Sequence, residues 1–232
     1  MNTEPRLDVI GAALADPSRV RILCELMDGR AFTNKELASA AGVTPQTATG
    51  HLQKLRSAGL VTSVKSGRHV FHRIANEEVA ETLERLSALS PTDHLYSGKG
   101  RSLPGDEALL ARSCYNHLAG RLGVLIAEQL IARRLLAVTD GGASVAPEGV
   151  ALFERLGIEI GASGRRPLVS LCLDWTERKH HLSGPLAAAF LDRALAAGWL
   201  ARRQGSRALT LTDAGAEVLR DAFSISEADL NR

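Results

Sequence analysis

Between Glu36 and Glu77 the chain has no Asp or Glu, although its 232 residues carry 28 Lys plus Arg against 26 Asp plus Glu, a net charge of only +2. Other features are missing too. No apolar run approaches the ~20 residues that a bilayer span needs, which excludes a membrane helix. Three cysteines, an odd number set far apart, do not make the disulfide framework of a small secreted domain. The opening MNTEPRLDVIGAALADPSR lacks the basic start, apolar middle and small-residue cleavage site of an export signal, so the cytoplasm is the expected compartment. What is present is ordinary globular material. Hydrophobic residues make up 45% and charged residues 23%, enough to bury a core in one large domain or two of common size.

The acid-free interval is basic. It holds Lys54, Arg56, Lys65, Arg68 and Arg73, with His51, His69 and His72. A local cationic block in a near-neutral chain is the footprint expected of a phosphate-binding surface, a solvated basic face being the plain alternative.

Helix signals surround that block. Leu7, Ile10 and Leu14 fall at helical spacing, and Asp16 can cap a second helix that starts at Pro17. Its apolar stripe is expected to be Val20, Leu23, Cys24 and Met27, closed by Gly29, with Cys24 packed in the core. Thr33 and Glu36 stand at capping-box spacing before a short helix that ends at Gly42. Thr44 and Pro45 then begin another helix. On it, Ala48, Leu52 and Leu55 form a buried stripe. Thr47, Gly50, His51 and Lys54 form a second face, flanked by Gln46 and Thr49. A short, acid-free face rich in hydrogen-bonding groups suits the major groove, where base edges present donors and acceptors. The tight AAGV turn before it completes a helix-turn-helix. LVTSVK and HVFHRI, joined through Ser66-Gly67-Arg68, read as a hairpin that puts Lys65, Arg68 and His69 near its tip. NEEVAETLERLSAL is a further amphipathic helix with Val79, Leu83 and Leu86 on one side.

DPSRVRIL at 16–23, ELASAAGVTPQTATGHLQKLRSAGLV at 36–61 and KSGRHVFHRI at 65–74 together resemble the winged-helix domain of the ArsR/SmtB bacterial transcriptional regulators over roughly residues 5–90. The resemblance implies a homodimer joined through the first helix and the helix after the wing. It also implies a repressor that leaves its double-stranded DNA operator when an effector binds. Carried over, Thr44, Gln46, Thr47, Thr49 and His51 face DNA, with Lys54 toward phosphates and Lys65 and Arg68 in the wing. Gly50 departs from the larger polar residue usual there. Metal-sensing members carry Cys-x-Cys in the helix before the recognition helix, where this chain reads ELASAAG. Others place Asp/His and His/Glu pairs on the helix after the wing, where this chain has no histidine until His94. Neither familiar metal site is expected here.

SPTDHLYSGKGRSLPGD, rich in Ser, Gly and Pro, marks a linker over 91–106 between a domain at 1–90 and a second at 107–232. The second half repeats itself. HLAGRL from His117 matches HLSGPL from His181, and Leu136 matches Leu200, both at an offset of 64; Gly149 then matches Gly215 at 66. The expected fold is mainly α with small β-hairpins, a winged helix-turn-helix followed by two winged-helix-like repeats at about 107–160 and 172–225. Each repeat is read as a long helix, a turn, a short strand and a capped helix.

Cys114, His117 and Arg121, at i, i+3 and i+7, are expected to share a helix face. The other repeat offers Cys172, Asp174, Trp175, Glu177, Arg178, His180 and His181. If these clusters converge, one reading is an organic-effector pocket with Tyr115 and Trp175 as walls and Arg121, Arg178 or His117 fixing a polar group. A second is a metal site of Cys114, His117, Cys172 and one of His181, His180 or Asp174, suited to a zinc-like ion. A third is a redox switch joining Cys114 to Cys172. An ordinary core of buried cysteines and hydrogen-bonded histidines is the plain alternative. A Cys/His pair can also serve an enzyme, but no third orienting group or oxyanion site is evident, so no catalysis is expected.

Overall fold

Side-chain caps set where the N-terminal helices after the first begin. The computed structural model describes residues 4–89, 106–139, 142–159, 167–203 and 206–230. Contacts divide the chain into one unit ending at Thr82 and another starting at Leu83; the linker expected at 91–106 lies, apart from Asp106, outside the described residues. After α1 (Leu7–Leu14), the Asp16 carboxylate accepts from Ser18 N at 2.9 Å and Arg19 N at 3.1 Å, and so opens α2 (Pro17–Leu26). β1 (Phe32–Thr33) runs into α3 (Asn34–Ala41), where Thr33 and Glu36 close their capping box. Gly42, at φ 67°, stops α3, and Thr44 caps α4 (Pro45–Ser57) by accepting from Thr47 N. β2 (Val61–Ser66) and β3 (His69–Ile74) pair around Gly67-Arg68 as the wing, and β1 lines the far edge of β3. α5 (Glu77–Leu89) follows, and the boundary between the units falls within it.

Two apolar stripes differ from their sequence reading. The buried apolar face of α2 is Ile22, Leu23, Leu26 and Met27; Val20 is exposed and Cys24 half-buried. On α5 the buried residues are Ala80, Glu84 and Ala88, while Leu86 is 42% and Leu89 82% exposed. Leu7 on α1 is 73% exposed. These helices are apolar on more than one face, and the core of the chain uses only one of them.

In the second unit α6 (Asp106–Leu110) leads into hairpin β4 (Arg112–Cys114) and β5 (His117–Ala119), then α7 (Arg121–Ala132). Hairpin β6 (Leu136–Thr139) and β7 (Gly142–Val145) and α8 (Pro147–Arg155) complete the first series. The same order returns as β8 (Ser170–Leu173), β9 (His180–Ser183), α9 (Pro185–Ala196), β10 (Leu200–Arg202), β11 (Leu209–Leu211) and α10 (Asp213–Phe223), before α11 (Glu227–Leu230). Each series is thus hairpin, helix, hairpin, helix: the expected long helix starts only after a hairpin, and the expected short strand is paired in a second hairpin. Gly120 and Gly184, at φ 83° and 85°, sit at the N-caps of α7 and α9, in a left-handed conformation that would break any helix running through them. Cys114 and His117 therefore face each other across a two-residue turn, with Tyr115 at φ 58°, and share no helix face with Arg121. Leu136 pairs with Val145 and Leu200 with Leu211, so the two extra residues of the second series lie in its β10–β11 loop.

Gly149 and Gly215 are both the third residue of their helices. A Cβ on Gly149 would stand 2.3 Å from Leu135 O, and one on Gly215 2.1 Å from Trp199 O. Gly215→Ala should therefore destabilise this unit by about 1–3 kcal/mol through overpacking. Both tryptophans, Trp175 and Trp199, belong to this unit, so urea unfolding followed by tryptophan fluorescence reads it alone. An unchanged midpoint would contradict the close approach.

Candidate metal centre and nucleic-acid interface

On α4 the buried side is Ala48, Leu52 and Leu55, and Gln46, Thr47, Thr49, Gly50 and Lys54 are exposed. Some hydroxyls on that face are already engaged. Thr44 Oγ1 lies 2.9 Å from Thr47 Oγ1, and Thr49 Oγ1 donates to Pro45 O at 3.0 Å. Asn34 Nδ2 on α3 donates to both Thr49 Oγ1 and Pro45 O, bracing the start of α4. His51 is half-buried. Lys65, Arg68 and His69 are exposed on the wing. His72 is not part of that surface: it is buried, its Nδ1 is 2.8 Å from Ser63 Oγ, and burial lowers its pKa.

In the second unit, hairpins β4–β5 and β8–β9 bring together Cys114, His117, Cys172 and His181. One ligating atom from each lies within 4.8 Å of all the others. His117 Nδ1 meets Asn116 Oδ1 at 3.2 Å, while its Nε2 is buried without a hydrogen-bond partner. Both His181 nitrogens are likewise buried without a hydrogen-bond partner, Nδ1 lying at ion-pair distance, 3.4 Å, from Asp174 Oδ2. The His117 and His181 rings lie 5.1 Å apart.

Asp174 is the anchor of this arrangement. Its carboxylate, fully buried, accepts from Arg112 Nη2 at 2.7 Å, Gly120 N at 2.8 Å, Thr176 Oγ1 at 2.7 Å and Thr176 N at 2.9 Å. Burial alone would raise its pKa; these donors, with His181 and the Arg112 charge, outweigh burial and hold it well below the usual carboxylate range. The hydrogen bond from the Cys114 thiol, followed by contacts with His117 and His181, lowers the Cys172 pKa to about 2. Burial and the same bond push the Cys114 thiol up. Burial opposes a charge on His181, but Asp174 and Cys172 overcome it and raise its pKa to about 9.

The donor set fits a tetrahedral thiolate–imidazole site. Bond lengths of ~2.3 Å to sulfur and ~2.0–2.1 Å to nitrogen space zinc ligands roughly 3.3–3.8 Å apart, so the longest separation here must close by about 1 Å. Two buried Nε2 atoms without partners carry an energetic penalty that an ion would remove. Thiolate, imidazole and carboxylate in the order Cys172, His181, Asp174 also match a cysteine nucleophile with its oriented base. The second thiol and second imidazole converging on the same point favour an ion over that use.

A helix-turn-helix domain model matches residues 14–64. The uncharacterised HTH-type transcriptional regulator YdfF of Bacillus subtilis is 40% identical over 213 residues, covering 91% of this chain and 94% of YdfF. The chain belongs to the ArsR/SmtB-type helix-turn-helix transcriptional regulators. The regulator CmtR of Mycobacterium bovis is 40% identical over 83 residues, which cover 36% of this chain and 70% of CmtR. Among solved structures, the homodimeric winged helix-turn-helix domain of Mb0332 from Mycobacterium bovis is 31% identical, covers 38% of this chain and 89% of its own, and has a TM-score of 0.33. The cadmium sensor CmtR of Mycobacterium tuberculosis is 33% identical over 42% of this chain and 98% of its own, with a TM-score of 0.32.

In this regulator the residues expected to form an organic-effector pocket are otherwise engaged. Arg121 donates to Leu230 O at 3.2 Å and lies 3.9 Å from Glu177; Arg178 donates to Ala88 O. Trp175 stacks under the Arg112 guanidinium, 4.9 Å from ring centre to carbon. An apolar cavity nearby is lined by Leu118, Gly123, Ile126, Leu182, Ala187 and Phe190, none of them an expected effector contact. His180 is exposed and outside the cluster. The sequence reading missed Arg112 and the orienting role of Asp174. The Asp174-Trp175-Thr176 stretch, an Asp with a hydroxyl two residues on, was the available signal for a turn around a buried carboxylate.

Proposed function

We propose that this chain is a homodimeric cytoplasmic repressor that binds operator DNA through α4 and the wing. It leaves the operator when Cys114, His117, Cys172 and His181 take up a zinc-like ion. The observation that carries the sensing half is the pair of buried, unpartnered Nε2 atoms beside two thiols within 4.8 Å. The exposed, acid-free faces of α4 and the wing support DNA binding, with Gln46 and Thr47 toward base edges and Lys54, Lys65 and Arg68 toward phosphates. Thr44 and Thr49, engaged in capping and bracing, and half-buried His51 support α4 as well as facing its groove side. Leu7 on α1, exposed as an apolar residue, supports a second copy as its cover. The ion would supply the cross-link between hairpins β4–β5 and β8–β9, with Asp174 fixing the His181 ring. No catalytic step is proposed, and no helix among the described residues is long and apolar enough to cross a membrane.

The test is fluorescence anisotropy with the DNA upstream of the gene, with scrambled DNA as control. Zinc should weaken specific binding by about 5–150-fold, the usual size of an allosteric coupling, and chelation should restore it. Arg68→Ala should weaken both DNAs alike and reduce the salt slope by about 1, whereas Gln46→Ala should lose ~1–3 kcal/mol of discrimination at one base pair. Variants that bind like the parent, or affinity insensitive to salt, would contradict the assignment of this surface.

A further inference from the structure

Beyond the four ligands, both hairpins that carry them are linked to α5, one directly and one through the segment before β11. Its second half, counted with the cluster in one unit, is gripped at two points one helical turn apart. Glu84, buried on α5, receives Arg207 Nη1 at 3.4 Å. Arg207 is tied in turn to the strand bearing Cys114: Ser113 N donates to Arg207 O at 2.9 Å, and Leu209 N donates to Ala111 O at 2.9 Å. At the second point Arg178 donates to Ala88 O. Arg178 stands in the turn between Cys172 and His181, at φ 57°, where its own N–H donates to Asp174 O at 2.9 Å. The Cys172 hairpin thus reaches α5 directly through Arg178, and the Cys114 hairpin reaches it indirectly, through its backbone bonds to the segment before β11 that bears Arg207; α5 is a continuous helix that begins in the N-terminal unit.

We propose that α5 is the element on which the cluster reports its occupancy, with Glu84 and the Ala88 carbonyl as the contacts that read it. The inference rests on the metal reading above. Drawing four donors to tetrahedral spacing closes β4–β5 against β8–β9 by up to about 1 Å. The turn that carries Arg178 is then fixed to the ion, the segment that carries Arg207 follows through its backbone bonds to β4, and the second half of α5 is held more firmly. Glu84 and the two arginines are positioning residues; none of them touches the ion.

Hydrogen exchange of the full-length protein, read by mass spectrometry over Leu83–Leu89 with and without Zn(II), tests this. Co(II) absorption in parallel reports whether the site loads. In the parent, Zn(II) should slow exchange of this segment at least tenfold. Glu84→Gln, which keeps size and removes charge, should load Co(II) with the parent spectrum yet lose most of that slowing. Arg178→Gln removes the other hold and should do the same, so the test survives misfolding of either variant. If the parent takes up neither ion, the metal reading fails and this inference with it. If the parent loads but residues 83–89 exchange at one rate, or both variants keep full protection, only the role of α5 is overturned.

Discussion

Cys172→Ser is expected to strip the protein of its bound metal. A serine hydroxyl keeps the size of the side chain but stays protonated at neutral pH, so the site loses an anionic donor while the hairpin keeps its packing. Loss of a partner that merely orients a ligand typically weakens metal affinity 10–100-fold; removing a thiolate that is itself a ligand should exceed that, and a stoichiometric ion should fall to a trace after dialysis. The same variant should bind DNA as the parent does without zinc and stop responding to zinc. Cys24→Ser is the matched control, because Cys24 sits half-buried on α2 in the other unit. Full metal content in Cys172→Ser, or equal loss in Cys24→Ser, would contradict the assignment.

Asp174→Asn should be the most damaging single change to the stability of the second unit. The Arg112–Asp174 pair is buried on both sides, with side-chain exposures of 3% and 0%. Removing the negative charge leaves the Arg112 guanidinium uncompensated, which costs about 3–5 kcal/mol in a buried pair. An asparagine amide also puts an NH2 in place of one carboxylate oxygen, so that either Gly120 N or Thr176 N, bound to opposite oxygens, faces a donor where it needs an acceptor. Metal affinity should fall 10–100-fold in the folded fraction as the His181 ring loses its orienting partner. Urea unfolding followed by tryptophan fluorescence and a competitive zinc titration measure the two effects. A stability loss below ~1 kcal/mol would mean that the pair is solvated rather than buried.

The N-terminal unit was almost wholly legible in the sequence because its signals are local. Asp16, Thr33 and Thr44 cap helices within three residues of themselves, and Gly67-Arg68 closes the wing hairpin directly. What was hidden there depends on distant chain. The pairing of β1 with β3 has no local signature, and the choice of Ile22 and Leu26 over Val20 and Cys24 follows from which face α3 and α4 cover. In the second unit the matching segments are readable, but Cys114, His117 and Arg121 at i, i+3 and i+7 read as one helix face, although Cys114 and His117 pair across a hairpin. The glycine at φ 83° ends that reading only once its conformation is seen. The four ligands could be named from residue type. Their convergence could not, since Cys114 and Cys172 are joined by the packing of two hairpins. Asp174, named only as a possible effector or metal contact, proved to be the buried carboxylate on which His181 and Arg112 both rest.

X-ray absorption at the zinc edge of the loaded, full-length protein bears most directly on the central claim. Two sulfur scatterers at ~2.3 Å and two imidazole nitrogens at ~2.0–2.1 Å are expected, the signature of a Cys₂His₂ tetrahedron. A shell of oxygen and nitrogen alone would contradict it, whatever the protein does with DNA.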